Sequence, residues 1–383
     1  MTAGEPSIGR VAIVHEWFTS MRGGEKCVEA LCEVFPQADV YALLHVPGTV
    51  SAAIERALVR TTFIQRLPAA ATQYRRYLPL FPFAVRQFDL REYDLVITSN
   101  HCVAKGARVP DRALHICYCY TPMRYIWGQY DEYFGKGRAG LLTRAAMRAC
   151  VGPLRRWDVA TAARPHHFVA ISENVRSRIR EIYGRNADMV YPPVDTSHFT
   201  LSARDDGYYL IVSALVPYKA VDIAIEAFNS TGERLVIVGE GPDGPRLKKL
   251  AGRGISFEGW QPDEALKEYY AGCKAVIFPG EEDFGIVPVE AMATGKPVLA
   301  LARGGALETV IDTPALRTGV LFREQSARGL AEGLDRLRRT PFDAPAIRSH
   351  ALTFDREVYK QRMLEYCRRR WEEFCRVGVQ VRS

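Results

Sequence analysis

Short apolar runs alternate with longer amphipathic stretches over most of the chain. The runs are rich in Val, Ile and Leu, and several lack the apolar–polar alternation of a strand with one wet face. They predict strands at 11–14, 40–44, 95–99, 115–119, 168–171 and 189–191. A second series follows at 208–213, 235–238, 255–258, 275–278, 297–300 and 319–322. The intervening stretches predict helices, among them 24–35, 174–183, 221–228 and 327–338. Apolar strands alternating with helices imply parallel, doubly wound sheets covered on both faces, an α/β fold.

The pattern breaks between Tyr191 and Gly207, where Pro192-Pro193 and the polar run from Ser202 to Asp206 have linker composition. The break separates two α/β halves, expected at residues 1–198 and 199–355. Residues 356–383 read as a C-terminal helix that packs back on the first half. Two such halves facing one another would leave a central cleft at the carboxyl ends of their strands, where ligands bind in sheets of this kind.

Composition narrows the classes. The chain has 383 residues, 48% hydrophobic and 25% charged, which excludes a disordered protein and supplies two cores. The net charge is 51 − 44 = +7, enough to allow an anionic partner but not to select one. No apolar run reaches the ~18 residues of a membrane span. The polar stretch Met1 to Arg10 leads straight into the first strand, so export is not expected. The nine cysteines form no CxxC pair, which fits a reducing, cytoplasmic setting and argues against zinc or redox motifs.

The strongest local signal runs from Phe278 to Pro297, FPGEEDFGIVPVEAMATGKP. A strand ends at Phe278 and a helix starts near Ile286, with Pro288 suited to its first turn and Gly295 just past its end. The amides of Phe284, Gly285, Ile286 and Val287 lie at that helix start, where they suit a phosphate or a polarised sugar oxygen. Glu282 and Glu290 place two carboxylates, seven residues apart, for two clusters of hydroxyls. Acidic residues near a helix start are ordinary on their own; the surrounding text makes them notable.

That text resembles glycosyltransferase family 4, retaining enzymes of the GT-B fold with two Rossmann-like domains. Ser213-Ala-Leu-Val-Pro-Tyr-Lys219 followed by 221–228 resembles the first strand–helix unit of the family's donor domain, and Val236-Ile-Val-Gly-Glu-Gly-Pro242 the second. Gly304-Gly-Ala-Leu-Glu308 is similar to its glycine-rich loop near the nucleotide phosphates. Arg22-Gly-Gly-Glu25 resembles its N-terminal glycine loop, and Tyr191-Pro-Pro-Val-Asp195 its hinge. The likeness extends from about Val11 to about Phe322.

The resemblance implies roles. Glu290 would hold the nucleotide ribose, and Glu282 with the amides of Phe284, Gly285 and Ile286 the donor sugar. Lys219 would neutralise the diphosphate, near Gly304 and Gly305. Lys219 and Glu282 would be the catalytic pair. Gly23 and Gly24 would let the first domain's backbone approach the donor; a tight turn before a helix explains two glycines equally well. The resemblance implies a nucleotide-sugar donor, with GDP-mannose favoured because the sequence looks most like mannosyltransferases of surface-polysaccharide assembly. No other cofactor is expected. No Asp-x-Asp pair occurs, which agrees with a metal-independent enzyme. The implied mechanism is front-face substitution, the donor phosphate taking the acceptor's proton.

Two positions depart from the pattern. Ala214 stands where relatives often carry an arginine for the diphosphate, with Arg303 a candidate substitute. Tyr120 stands where many carry a histidine beside the donor sugar. These departures keep open a non-catalytic GT-B binding or scaffold protein. Gly239-Glu-Gly-Pro-Asp-Gly244 matches a dinucleotide fingerprint, but Pro242 and Pro245 interrupt it and it opens the second unit of its half.

Seven aromatics crowd 118–134, where about two would be expected from the chain-wide 10%. Tyr120 and Tyr125 suit the apolar face of an acceptor sugar, with Arg124 for an acceptor phosphate; an ordinary aromatic core fits as well. Basic, apolar-rich stretches at 63–91 and 136–157 flank this region. They suit an anionic membrane surface and a lipid-linked acceptor, or else are solvated helix faces. The expected partners are therefore a nucleotide-sugar donor and a glycan or lipid-linked acceptor, with no nucleic acid. The expected place is the cytoplasm, peripheral on the cytoplasmic face of the inner membrane.

Overall fold

The computed structural model describes residues 7–128, 130 and 141–380. It comprises two compact units, Met1–Pro193 with Glu357–Ser383, and Val194–Arg356. The first is built on β1 (Val11–Phe18), β2 (Asp39–His45), β3 (Leu58–Arg60), β4 (Leu95–Asn100), β5 (Leu114–Cys119), β6 (His167–Ala170) and β7 (Ala187–Met189). The second is built on β8 (Tyr208–Val212), β9 (Leu235–Val238), β10 (Ile255–Gly259), β11 (Cys273–Phe278), β12 (Val298–Leu301) and β13 (Gly319–Phe322).

The sheet orders are β3-β2-β1-β4-β5-β6-β7 and β10-β9-β8-β11-β12-β13. The ladders at the centre of each sheet, β1 with β4 and β8 with β11, are parallel. In each unit the chain winds outward to one side, then crosses over and winds to the other. The reversal falls between β1 and β4 in the first unit and between β8 and β11 in the second.

The strands form where apolar residues persist on both faces. Every residue of β1, β4, β5, β9 and β12 is buried. The helices that cover them are amphipathic. Glu173–Tyr183 buries Val175, Ile179 and Tyr183, four residues apart. The Ser172 hydroxyl caps it by accepting the Val175 N–H at 3.1 Å, and Gly184 ends it at φ 64°. In the second unit, Ala327–Arg339 buries Leu330, Leu334 and Leu337 and carries three arginines in its last turn, complementing the helix dipole. No helix among the described residues is long and apolar enough to cross a membrane.

Three details differ from the pattern reading. β1 continues past Val14 through His15 and Glu16 to Phe18, and the polar pair is buried; the charges looked like a strand end because their partners lie far along the chain. The strand placed at 189–191 is Ala187–Met189. β3 had no apolar run to mark it, since Val59 and Arg60 are exposed at the sheet edge.

The chain passes between units after Pro193 rather than after 198. The Val194 N–H donates to the Phe354 carbonyl at 3.1 Å, and the Val194 carbonyl accepts the Arg356 N–H at 2.9 Å. The Thr196 hydroxyl donates to Asp355. These bonds tie 194–196 into the second unit and set the outgoing and returning segments side by side.

The returning segment enters Arg356–Gln380, a helix that covers the outer strand of the first unit. Tyr359 meets Tyr118 edge-on at 5.6 Å. The Tyr366 hydroxyl and Arg370 both donate to Asp188 of β7, at 2.8 and 2.7 Å.

Candidate active site

In the second unit the loops after β8, β9, β11 and β12 meet at the carboxyl edge of the sheet, where its winding reverses. Close packing of backbone on backbone holds them together. A Cβ at Gly305 would lie 2.3 Å from the Phe284 Cα, and one at Gly304 2.3 Å from the Glu282 carbonyl oxygen. Only glycine allows this approach, and the Gly305 N–H donates to that same Glu282 carbonyl at 2.8 Å. The glycine-rich segment 304–305 therefore fixes the acidic segment 282–284.

Lys219 ends a short turn, Pro217–Lys219, in the loop after β8. Its ammonium pairs with the Glu282 carboxylate from the loop after β11. Both are partly exposed, at 14% and 27%, so water and ligand can reach them. Gly285, at φ 88°, turns the chain into the helix Ile286–Ala293, which has no side-chain cap. The first-turn amides of that helix have no intrahelical acceptor. One cation, one carboxylate and a set of backbone donors thus share one edge. That combination suits a ligand carrying both phosphate and hydroxyl groups.

Glu290 lies a turn further along the helix. The Tyr270 hydroxyl, from the helix Asp263–Gly272, donates to it at 2.8 Å. Burial, together with Glu290 itself, holds the Tyr270 phenol well above its usual range, so it remains a donor. Tyr270 carries no local sequence signal and was not anticipated. Ala214 and Arg303 are exposed, and the Arg303 guanidinium has no partner among the described residues. In the loop after β9, Gly239 and Gly241 close against Ser213 and Leu215, where a Cβ would meet carbonyl oxygens at 2.0 and 2.2 Å. That packing accounts for the fingerprint-like glycines.

The first unit has its own polar cluster at its reversal point. Gly23 and Gly24 open the helix Gly23–Val34 beside it. His15 Nδ1 lies 2.9 Å from Ser99 Oγ, which lies 2.7 Å from the Tyr120 hydroxyl. The Tyr120 hydroxyl reaches the Gly24 carbonyl at 3.0 Å. A carbonyl only accepts, so Tyr120 donates to Gly24, Ser99 donates to Tyr120, and His15 donates from Nδ1 to Ser99. Burial keeps the Tyr120 phenol protonated for this task. Tyr120 therefore holds the glycine segment directly.

Glu16, missed by the sequence reading, is buried beneath this chain. Its Oε1 accepts the N–H groups of His101, Cys102 and Ala104 at 3.0, 2.9 and 3.2 Å, and Oε2 lies 3.1 Å from His101 Nδ1. Burial alone would push its carboxyl up. His101, His15 and the Cys102 amide outweigh that and hold it at about 2. Glu16 thereby staples the loop after β4.

Of the acceptor-side candidates, Tyr125 is buried, with its ring 6.4 Å from Trp17 in the core, and Arg124 is half-buried. The segment carrying them is held from below. Arg155 donates to the Ile126 carbonyl at 2.9 and 2.6 Å and lies over the Trp127 ring. Asp158 accepts from Trp127 at 2.7 Å and Tyr183 at 2.9 Å, and pairs with buried Lys105. Tyr133, Phe134, Lys136 and Arg138 lie outside the described residues.

Two Rossmann-like units of this topology define a GT-B protein. Residues 195–349 match the model of the glycosyl transferases group 1 family. A D-inositol 3-phosphate glycosyltransferase from Frankia alni is 30% identical over 209 residues, 45% of this chain and 50% of that protein. A GDP-mannose-dependent alpha-(1-6)-phosphatidylinositol monomannoside mannosyltransferase from Mycobacterium tuberculosis is 32% identical over 199 residues, 44% and 51% of the two chains. The chain spans about half the length of the curated relatives it matches. Anabaena HepE, solved in complex with UDP-glucose, superposes with a TM-score of 0.66 at 18% identity, covering 93% of this chain and 99% of that one. The chain thus has the GT-B fold, and its second unit carries a domain similar to the glycosyl transferases group 1 family.

Two predictions follow from the first unit's cluster. In Tyr120→Phe the Ser99 hydroxyl is free to donate to His15 Nδ1, so the His15 tautomer should change from Nδ1–H to Nε2–H. Nitrogen-15 spectra of histidine-labelled protein read this directly, and an unchanged tautomer would contradict the hydrogen-bond order. For Glu16, a folded-state pKa of about 2 lies below the ~4.3 of an unfolded glutamate. Its contribution to stability is complete above pH ~4.3 and lost as pH falls toward 2. Unfolding measured across that window should show a steeper acid loss in the native protein than in Glu16→Gln.

Proposed function

We propose that the protein is a retaining, metal-independent hexosyltransferase that transfers a hexose from a nucleotide sugar to a glycan or lipid-linked acceptor in polysaccharide or glycolipid biosynthesis. The observation that carries the reading is the Lys219–Glu282 pair at the reversal point of the second unit, beside uncapped helix amides. Lys219 exchanges Glu282 for the donor diphosphate and balances the leaving group. Glu282 and the amides of Phe284 to Val287 then hold the hexose hydroxyls. Glu290, oriented by Tyr270, holds the ribose, and Gly304 and Gly305 let the phosphates approach the backbone.

The acceptor hydroxyl attacks the anomeric carbon from the leaving group's side. Its proton passes to a donor phosphate oxygen as the sugar–phosphate bond breaks, so the protein supplies no general base. The developing diphosphate charge is met by Lys219 and the helix amides. Tyr120 contributes through Gly24, and Tyr125 through the core beneath the segment. Arg124 is assigned to an acceptor phosphate.

GDP-mannose is the favoured donor, by the names of mycobacterial relatives. The UDP and UDP-glucose bound to Anabaena HepE make a UDP-sugar the alternative. Attachment to an anionic membrane surface is supported by exposed Leu80 and Phe83 among Arg66, Arg75 and Arg76. The exposed Ala214 favours a second reading, a non-catalytic GT-B binding protein.

Transfer and hydrolysis measured across GDP- and UDP-sugars separate the two. The enzyme reading expects turnover with one nucleotide class, and a fall in kcat/KM of about 10²-fold or more in Lys219→Ala and Glu282→Ala. Unchanged turnover in both variants would refute the site, and no turnover with any donor would favour the binding protein.

A further inference from the structure

A pocket of about 370 Å³ opens in the first unit, between the loop that precedes β5 and the segment that precedes β6. Arg108, Asp111, His115, Arg164 and His166 are among its lining residues. His115 is the second residue of β5 and His166 immediately precedes β6, so the pocket sits at the amino edge of the sheet. The Gly23–Gly24 segment and Tyr120 lie at the opposite, carboxyl edge, roughly 20 Å away along a six-residue strand. The pocket is therefore separate from the site already described, and its volume lies within the ~300–1,000 Å³ of small-molecule sites.

The chemistry of its wall is unbalanced. Arg108 and Arg164 line it, and Arg86 and Arg108 both act on Arg164 electrostatically. Arg185 acts on His115 and His166. None of these four arginines pairs with a carboxylate among the described residues, and Asp111 is the one acidic residue of the lining. Arg164 and Arg185 spend donors on the carbonyls of Ala107 and Ala162, at 3.3 and 2.7 Å, which leaves their positive charge uncompensated. Burial, with Arg86 and Arg108, holds the Arg164 guanidinium below its usual range.

Two buried nitrogens add to this. His115 Nε2 is engaged with Thr98 Oγ1 at 3.1 Å, while its buried Nδ1 makes no well-formed hydrogen bond, although the Arg164 backbone lies close enough to act on the ring. Burial, with His166 and Arg164, holds His115 down at about 3, so the ring is neutral. The Arg86 Nε is likewise buried without a partner. Four arginines gathered against the single carboxylate of Asp111, beside an unsatisfied buried imidazole, are costly unless a ligand completes them.

We propose that this pocket binds a phosphate monoester, with Arg108 and Arg164 pairing its oxygens and His115 Nδ1 meeting its remaining oxygen or hydroxyl. Arginine is suited to this task because its planar fork matches a phosphate oxygen pair. A phosphate monoester near neutral pH carries both charged oxygens and, in part of the population, a hydroxyl, so either His115 tautomer is served. The chemistry is shared by soluble phosphorylated metabolites and by the headgroup of phosphatidic acid. The proposal does not depend on the hexosyltransferase reading.

The test is calorimetric titration of the full chain with glycerol 3-phosphate, alongside flotation with phosphatidylcholine vesicles with and without phosphatidic acid. Arg108→Glu and Arg164→Gln are compared with the native protein. Arg108 is exposed and bonds to nothing described, and its replacement by glutamate relieves repulsion with Arg164, so the melting temperature should not fall. Binding to at least one probe should weaken about tenfold or more in both variants. Loss of vesicle binding identifies a lipid headgroup, and loss of glycerol 3-phosphate binding alone a soluble ligand. No binding to either probe, or binding undiminished in both variants, would overturn the proposal.

Discussion

A parallel sheet wound in two directions leaves a gap where the direction changes. At that point the chains leaving two adjacent strands diverge, so the loops above them cannot close over the strand ends with apolar side chains alone. Both units obey this constraint, between β1 and β4 and between β8 and β11. The polar groups follow from it. Lys219 and Glu282 leave β8 and β11 and meet above that gap. His15 and Glu16 belong to β1, Ser99 belongs to β4, and Tyr120 follows β5.

The two clusters are built for different work. Lys219–Glu282 is one partly exposed pair, a kind of contact worth ~0–1 kcal/mol to the fold. Losing it to a ligand therefore costs the protein little. Glu16 is the reverse case, fully buried and bonded to three amides of one loop, so removing it would leave them unsatisfied. The Lys105–Asp158 pair, also fully buried and further bonded by Trp127 and Tyr183, belongs with Glu16. One pair is free to exchange partners, and the buried ones hold the surrounding loops in place.

The sequence made the scaffold legible because parallel strands are apolar on both faces, and such runs stand out. Lys219, Glu282 and Glu290 were legible because each falls in a short motif whose neighbours carry the resemblance. His15, Glu16, Ser99 and Tyr270 were not, because their meaning arises from partners remote in sequence. Ser99 is 84 positions from His15, and His101 85 from Glu16. The aromatic cluster marked the right segment but could not say which rings face inward; Tyr125 joins the core while Tyr120 reaches Gly24. The basic pocket at the amino edge was invisible for the same reason, since Arg86, Arg108, Arg164 and Arg185 come from separate stretches.

The central claim is that Lys219 exchanges Glu282 for a diphosphate. Calorimetric affinities for GDP and UDP, with and without their sugars, test it in Lys219→Ala and Glu282→Ala. The account predicts that Lys219→Ala weakens the preferred nucleoside diphosphate about tenfold or more. It predicts that Glu282→Ala binds the bare diphosphate at least as tightly as the native protein, because the competing carboxylate is gone, yet loses the added affinity for the sugar. Diphosphate affinity unchanged in Lys219→Ala would contradict it.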